Sequence, residues 1–346
     1  MLATLAGSRA DRVPVALSFY PVELEAMAPP GATVPGNVDV RFVRFPSLVS
    51  EERFERFVEG IPLDTNLGGS ELLRTYAEWR YRPGQADANP LAAATTPADL
   101  DAFPWPDTTA AGRSAGLRDQ VAALHRAGYA VGGSPPHLGG ELFETAWRLR
   151  GLARFLLDLR DNPALAHALL DRLMQLCREN AVLLARAGVD ILVLDDDVGM
   201  PGTMIVSPEM WRTFLRPRME SIIEAARAAR PELRVLYHSD GVIEPIIGEL
   251  IDIGVDALNP VQPDRMDPRA IKRRYGDRLT LWGTVGTHTT FARATPEQIR
   301  AEVRHRIETL GPGRLVLCPA YDIDEDSTPW ENIAAFLDAA TRYGAT

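Results

Sequence analysis

The chain has 346 residues, a hydrophobic content of 46% and a formal charge of -10. That length suits one large or two ordinary domains with a sizeable core. The negative charge disfavours binding to a phosphate backbone, and no apolar run is long enough to span a bilayer. The start, MLATLAGSRADRVPV, lacks the apolar stretch of a secretory signal, so a cytoplasmic location is expected. Cys177 and Cys318 are the only cysteines, which leaves no disulfide framework and no C-x-x-C metal cluster.

Taken in chain order, eight apolar runs read as strands: 13–19, 38–45, 129–134, 191–197, 234–240, 257–261, 279–285 and 314–321. Most are short and continuously apolar, as strands covered on both faces must be. Between the later runs lie helices announced by a capping residue followed by proline: 163–187 after Asn162, 208–229 after Ser207, 296–310 after Thr295 and 329–343 around Thr328. An amphipathic helix is also expected over 242–253. Eight strands alternating with helices predict an α/β chain folded as a single (β/α)8 TIM-like barrel. A doubly wound sheet is the alternative, but no G-x-G-x-x-G follows the first run. Residues 46–128 interrupt the alternation with a helical insert after the second strand. It is read as a lid or dimerisation surface because it is too long for a plain connection and carries exposed-looking Trp79, Phe103 and Trp105.

In such a barrel the C-terminal strand ends share one mouth, and there the unusual polar residues gather. The fourth run ends in Asp195, Asp196 and Asp197, three adjacent carboxylates that repel unless solvated, paired or bound to a cation. The fifth ends in His238-Ser239-Asp240-Gly241. His238 and Asp240, two apart, converge on one side of an extended segment and could bind a metal or share a proton. Asn259 ends the sixth run, Thr284 and His288 follow the seventh, and Cys318, Tyr321 and Asp322 end the eighth. His137, in PPHLGGELFETAW, follows the third run and stands behind these as a candidate. The bland readings are a capping aspartate, a surface histidine at 288, and core packing for Cys318 and Tyr321. Lys272, the only lysine, sits in an expected helix, which leaves no Schiff-base lysine at a strand end.

The order of HSDG, ALNPVQP, DDDVG with SPEMW, GGELFETAWRLRG and the terminal TPWENIAAF resembles the uroporphyrinogen decarboxylase superfamily over roughly residues 12–343. The resemblance implies a (β/α)8 barrel with its site at the C-terminal mouth. It also implies either porphyrinogen decarboxylation or zinc-dependent methyl transfer from a corrinoid protein to a thiol. The chain departs from the true decarboxylases in having no arginine from Ser18 to Met27, where Phe19 and Tyr20 are instead candidate substrate contacts. From the methyltransferases it departs by carrying His238-Ser239-Asp240 in place of H-x-C. The last-loop cysteine position falls near Cys318, or on Tyr321 when aligned back from TPWENI.

Three functions therefore stand side by side. The leading one is a zinc-assisted transferase moving a methyl or similar one-carbon group. Its metal is held by His238, Asp240 and Cys318, and Asp196 or Asp197 orients the substrate or takes a proton. A corrinoid-bound methyl group is its expected co-substrate and a corrinoid protein its partner. The second is a metal-free decarboxylase on a small aromatic or heteroaromatic acid, with an Asp–His pair as proton donor and Tyr321 in the catalytic set. The third is a barrel that binds a ligand or a corrinoid partner without catalysis. Asn259, Thr284, His288, Asp195, Phe19 and Tyr20 complete the expected substrate contacts, and a homodimer is expected from the insert.

Overall fold

The computed structural model describes residues 1–18, 27–32, 38–43, 45, 89–103, 105, 114–286, 293–320, 323 and 328–345. Seven parallel strands pair strictly in chain order: β1 (Val40–Val43), β2 (Ala130–Gly133), β3 (Ile191–Asp195), β4 (Arg234–His238), β5 (Ala257–Asn259), β6 (Thr280–Trp282) and β7 (Leu315–Val316). The first expected run makes a single parallel bridge, Val15 to Leu317, in place of a full strand. Its backbone nevertheless closes the circuit. Ala16 N donates to Leu317 O at 2.8 Å, Leu317 N donates to Pro14 O at 2.9 Å, and Asp39 N donates to Val15 O at 2.9 Å. The architecture is an α/β barrel of the TIM type, as expected, with each strand shorter than the apolar run that encodes it.

Eleven helices surround these strands among the described residues. They are α1 (Leu2–Leu5), α2 (Leu117–Arg126), α3 (Phe143–Arg150), α4 (Leu152–Asp161), α5 (Pro163–Ala187), α6 (Pro208–Phe214), α7 (Arg216–Ala229), α8 (Ile247–Asp252), α9 (Pro268–Tyr275), α10 (Pro296–Leu310) and α11 (Trp330–Tyr343). Asn162 accepts from Leu165 N at the start of α5 and Ser207 from Met210 N at the start of α6. Thr295 and Gln298 form a reciprocal capping box on α10. The expected helix 208–229 breaks at Leu215, because Pro217 has no N–H to donate to the turn before it and its ring crowds that turn's carbonyl, and it sits instead in the first turn of α7. The expected helix 242–253 is a short 3-10 turn, Glu244–Ile246, followed by α8.

Two apolar clusters hold the barrel. One lies between sheet and helices. The other fills the cylinder with Leu5, Ala16, Val40, Ala130, Ile191, Val193, Leu236, Ala257, Trp282, Val316 and Cys318. Leu5 belongs to α1, so this first helix plugs the end opposite the mouth, where Thr280 Oγ1 donates to Thr4 O at 3.5 Å. Most of the 46–128 insert, Trp79 included, falls outside the described residues. The part that is described corrects one expectation: Phe103 is buried and Trp105 is packed edge-on against it at 4.7 Å, with its Nε1 donating to Leu100 O. Rather than lying exposed, this pair docks on the core. The segment just before it is tied to α3 through Arg150, which donates to Leu91 O and Ala92 O. Among the described residues no helix is long and apolar enough to cross a membrane.

Candidate active site at the barrel mouth

Asp195, His238 and Asn259 stand opposite one another in adjacent strands, Asp195 paired with His238 and His238 with Asn259. Each ends its strand, so their side chains meet where the backbone ladder stops. His238 Nδ1 lies 2.6 Å from Asn259 Oδ1. Because Asn259 Nδ2 donates to Trp282 O at 3.3 Å, its oxygen is the atom turned to the imidazole. An amide oxygen only accepts, so Nδ1 carries a proton and Nε2 is the nitrogen turned to the mouth.

Two carboxylates face that nitrogen. Asp197 Oδ1 and Asp240 Oδ1 each lie 3.8 Å from His238 Nε2. Asp197 Oδ1 also accepts from Asp240 N at 2.6 Å, and Asp240 Oδ1 accepts from Gln262 Nε2 at 2.9 Å. Gln262 in turn accepts from Gly241 N, the residue whose positive φ of 79° turns the chain after β4. Among the described residues one group could hold a metal ion, with candidate ligand atoms all within 4.8 Å of one another: Asp195, Asp197 and His238. These are one nitrogen and two oxygens, a donor set acceptable to zinc and harder than one rich in thiolates.

This set differs from the expected His238, Asp240 and Cys318. Asp240 is near, but Asp195 and Asp197 complete the cluster with His238. Cys318 packs among Trp282, Val316 and Ala16 in the barrel interior and is 1% exposed. Asp196 is also corrected. Its Oδ2 accepts from Phe143 N at 2.9 Å and its Oδ1 from Glu144 N at 3.0 Å, so the side chain caps α3 from outside that helix. Burial pushes its pKa up to about 7, against the two amide donors and with the Asp197 charge adding to the rise. Asp196 thus holds the start of α3 in place. Thr284 is fully buried at the end of β6. Phe19, Tyr20, His288 and Tyr321 lie outside the described residues.

Sequence reasoning passed over the α3 end of the mouth. Glu141 is buried, its Oε2 accepting from Asp195 N at 2.5 Å and its Oε1 from Ser134 Oγ at 3.2 Å. Burial raises its pKa well above the usual carboxylate range, and the Asp196 charge adds to the shift. Glu144 pairs with Arg148 at 3.3 Å. Burial and then the Asp197 charge push its pKa to about 8, while Arg148 pulls the other way. The Glu144–Arg148 spacing of four on one helix was the available signal.

The uroporphyrinogen decarboxylase (URO-D) family model matches residues 93–343. The chain belongs to the uroporphyrinogen decarboxylase family. It is 27% identical over 183 residues to a uroporphyrinogen decarboxylase of Salinibacter ruber, covering 53% of this chain and 49% of that one. With the uroporphyrinogen decarboxylase of Chromohalobacter salexigens it shares 28% identity over 184 residues, covering 51% and 48%. The chain thus spans about half the length of these curated relatives. Among solved structures, a methyltransferase from Methanosarcina mazei superimposes with a TM-score of 0.64 at 20% identity, covering 99% of this chain and 97% of that one. At that identity the likeness concerns the fold alone.

Proposed function

We propose that this family member is a zinc-assisted transferase that moves a methyl or similar one-carbon group. The observation carrying this reading is the cluster of His238, Asp195 and Asp197, with His238 fixed by Asn259 so that Nε2 is the nitrogen turned to the mouth. A neutral imidazole oriented through its other nitrogen and flanked by carboxylates is the arrangement that favours a divalent cation. Zinc bound there would supply Lewis acidity, lowering the pKa of a thiol or polarising a leaving oxygen.

The chain's own residues do the remaining work. Asn259 holds the ring of His238, and Gln262 holds Asp240, which is left to orient the acceptor or take its proton. In the transfer the thiol gives up its proton and its sulfur pair forms the bond to the methyl carbon. The donor keeps the electron pair of the bond that breaks, so no oxidant or reductant is needed. A corrinoid-bound methyl group, delivered by a corrinoid protein, is the proposed donor. The fold shared with a methyltransferase is compatible with this chemistry without deciding it.

A metal-free decarboxylase is the second reading, favoured by one observation: Nε2 of His238 stands between two carboxylates, which would also hold a proton there. The imidazolium would then protonate the carbon from which carbon dioxide departs. Metal analysis separates the two. The transferase reading expects about one zinc per chain after dialysis against micromolar zinc, and none for His238→Ala. Absence of zinc from the wild-type protein under those conditions overturns it.

A further inference from the structure

His137 is 1% exposed, and both of its ring nitrogens are buried with no hydrogen-bond partner among the described residues. A histidine that serves only the core satisfies at least one nitrogen, because an unpaired buried polar group is costly. His137 stands two residues before Gly139, on which the Arg148 guanidinium of α3 packs, and Arg148 and His238 are the charges that bear on its ring. Burial, followed by those two positive groups, drives its pKa down to about 3, so the ring is neutral and offers one N–H and one lone pair.

Arg148 carries a second unsatisfied donor. Its Nη2 reaches Glu144 at 3.3 Å, yet its Nε is buried without a partner among the described residues. The guanidinium lies against Gly139, where a Cβ would come within 2.6 Å of Nη2 and 2.7 Å of Nε, and against the ring of Trp147 at 4.7 Å. A glycine at 139, with φ of 86°, lets the guanidinium pack directly on the backbone where a side chain would clash. In a mouth dominated by Asp195, Asp197 and Asp240, Arg148 is a cation with hydrogen-bonding capacity in hand.

We propose that Arg148 and His137 form a carboxylate-binding subsite beside His238, so that the substrate is a small organic acid anchored by its carboxylate. Arg148 supplies the charge and a donor, and His137 supplies the N–H that a carboxylate oxygen accepts. The sites of bond making and anchoring are thereby separated: His238 and its aspartates address the reacting end, and the α3 side holds the acid. This inference rests on the mouth being the reaction site.

Calorimetric titration with acetate and benzoate, against acetamide and benzamide as neutral controls, tests it on the full chain. Saturable binding of at least one acid is expected, weakened tenfold or more by Arg148→Gln and much less by Arg148→Lys. Two-dimensional 15N spectra should show the His137 ring signals moving on addition of that acid. His137→Leu should weaken binding severalfold while raising Tm by about 2 °C, since it removes two unsatisfied buried nitrogens. A histidine with a merely structural role would lower Tm and leave binding alone. The inference is overturned if neither acid binds in preference to its amide, or if Arg148→Gln binds the acid as tightly as wild type. Zinc content reports separately: acid bound through Arg148 in a protein that takes up no zinc removes the transferase reading and leaves this subsite standing. Zinc uptake with acid binding indifferent to Arg148 does the reverse.

Discussion

Nδ1 of His238 and Oδ1 of Asn259 lie 2.6 Å apart, and this contact decides which nitrogen the imidazole turns to the mouth. Replacing Asn259 with leucine leaves Nδ1 without its acceptor and lets the ring choose the other tautomer. Zinc affinity should fall by about 10–100-fold, the usual worth of such an outer partner. Asn259→Asp should hold or tighten it. Competition with a chromophoric chelator reads both, and an unchanged affinity in the leucine variant would show that the contact does not orient a ligand.

The ligand set itself can be discriminated. Asp197→Asn and Asp195→Asn should each lower zinc affinity more than Asp240→Asn does, because the first two belong to the cluster that closes on His238. Cys318→Ser should leave zinc content unchanged, since that thiol packs inside the cylinder with Trp282 and Val316. Loss of zinc on Cys318→Ser would restore the thiolate-containing set.

Asp196 makes a different prediction. Asp196→Ala removes the acceptor for the amides of Phe143 and Glu144, which cannot reach water in its place. Urea denaturation should show a loss of about 2 kcal/mol. Asp196→Asn, keeping one acceptor, should lose less. A large fall in zinc affinity with no loss of stability would instead return Asp196 to the reactive group.

Burial raises the folded-state pKa of Glu144 to about 8 and of Asp196 to about 7, from ordinary values of 4.5 and 3.8. Between those limits the folded protein holds protons that the unfolded chain has released, so stability falls as pH rises from about 4 to about 8. Each such group contributes at most about 1.4 kcal/mol per pH unit within its window. Glu144→Gln should flatten the dependence by nearly one proton. Denaturation midpoints at pH 5, 6.5 and 8 check this, and a slope identical to wild type would place the Glu144 carboxyl in a far more polar environment.

The three aspartates show how much of the site could be read in advance. Alternate residues of an extended segment point to opposite sides, so 195 and 197 share one direction and 196 takes the other. That parity was present in Asp195-Asp196-Asp197 and sorts the two members of the metal-capable group from the helix cap. The strand runs and the Thr295 cap were legible because they depend on local pattern, and the meeting of His238 with Asn259 at one mouth followed from the shared direction of parallel strands. The partnership of Asp196 with α3 was not, because it joins residues 52 and 53 positions apart through backbone amides that carry no side-chain signature. For Cys318 the sequence left two readings open, because an inward-facing residue near a strand end can belong to the mouth or to the packed interior, and the residue lies in the interior cluster.

Asp195, His238 and Asn259 sit side by side, each on its own strand, and the ladder that sets those strands in register is made of backbone hydrogen bonds. Exchanging one of these side chains leaves the ladder that places the other two intact. The row therefore behaves as a set of interchangeable sockets. A lineage could retune such a centre from hard to soft donors, or from ion to proton, one residue at a time while the protein stays folded. A substitution within the strands, at Val193 or Leu236 in the cylinder's packing, has no such freedom. Variation in this barrel's chemistry should accordingly concentrate on the last residue of each strand, and a library confined to those positions is the economical way to change what the protein does.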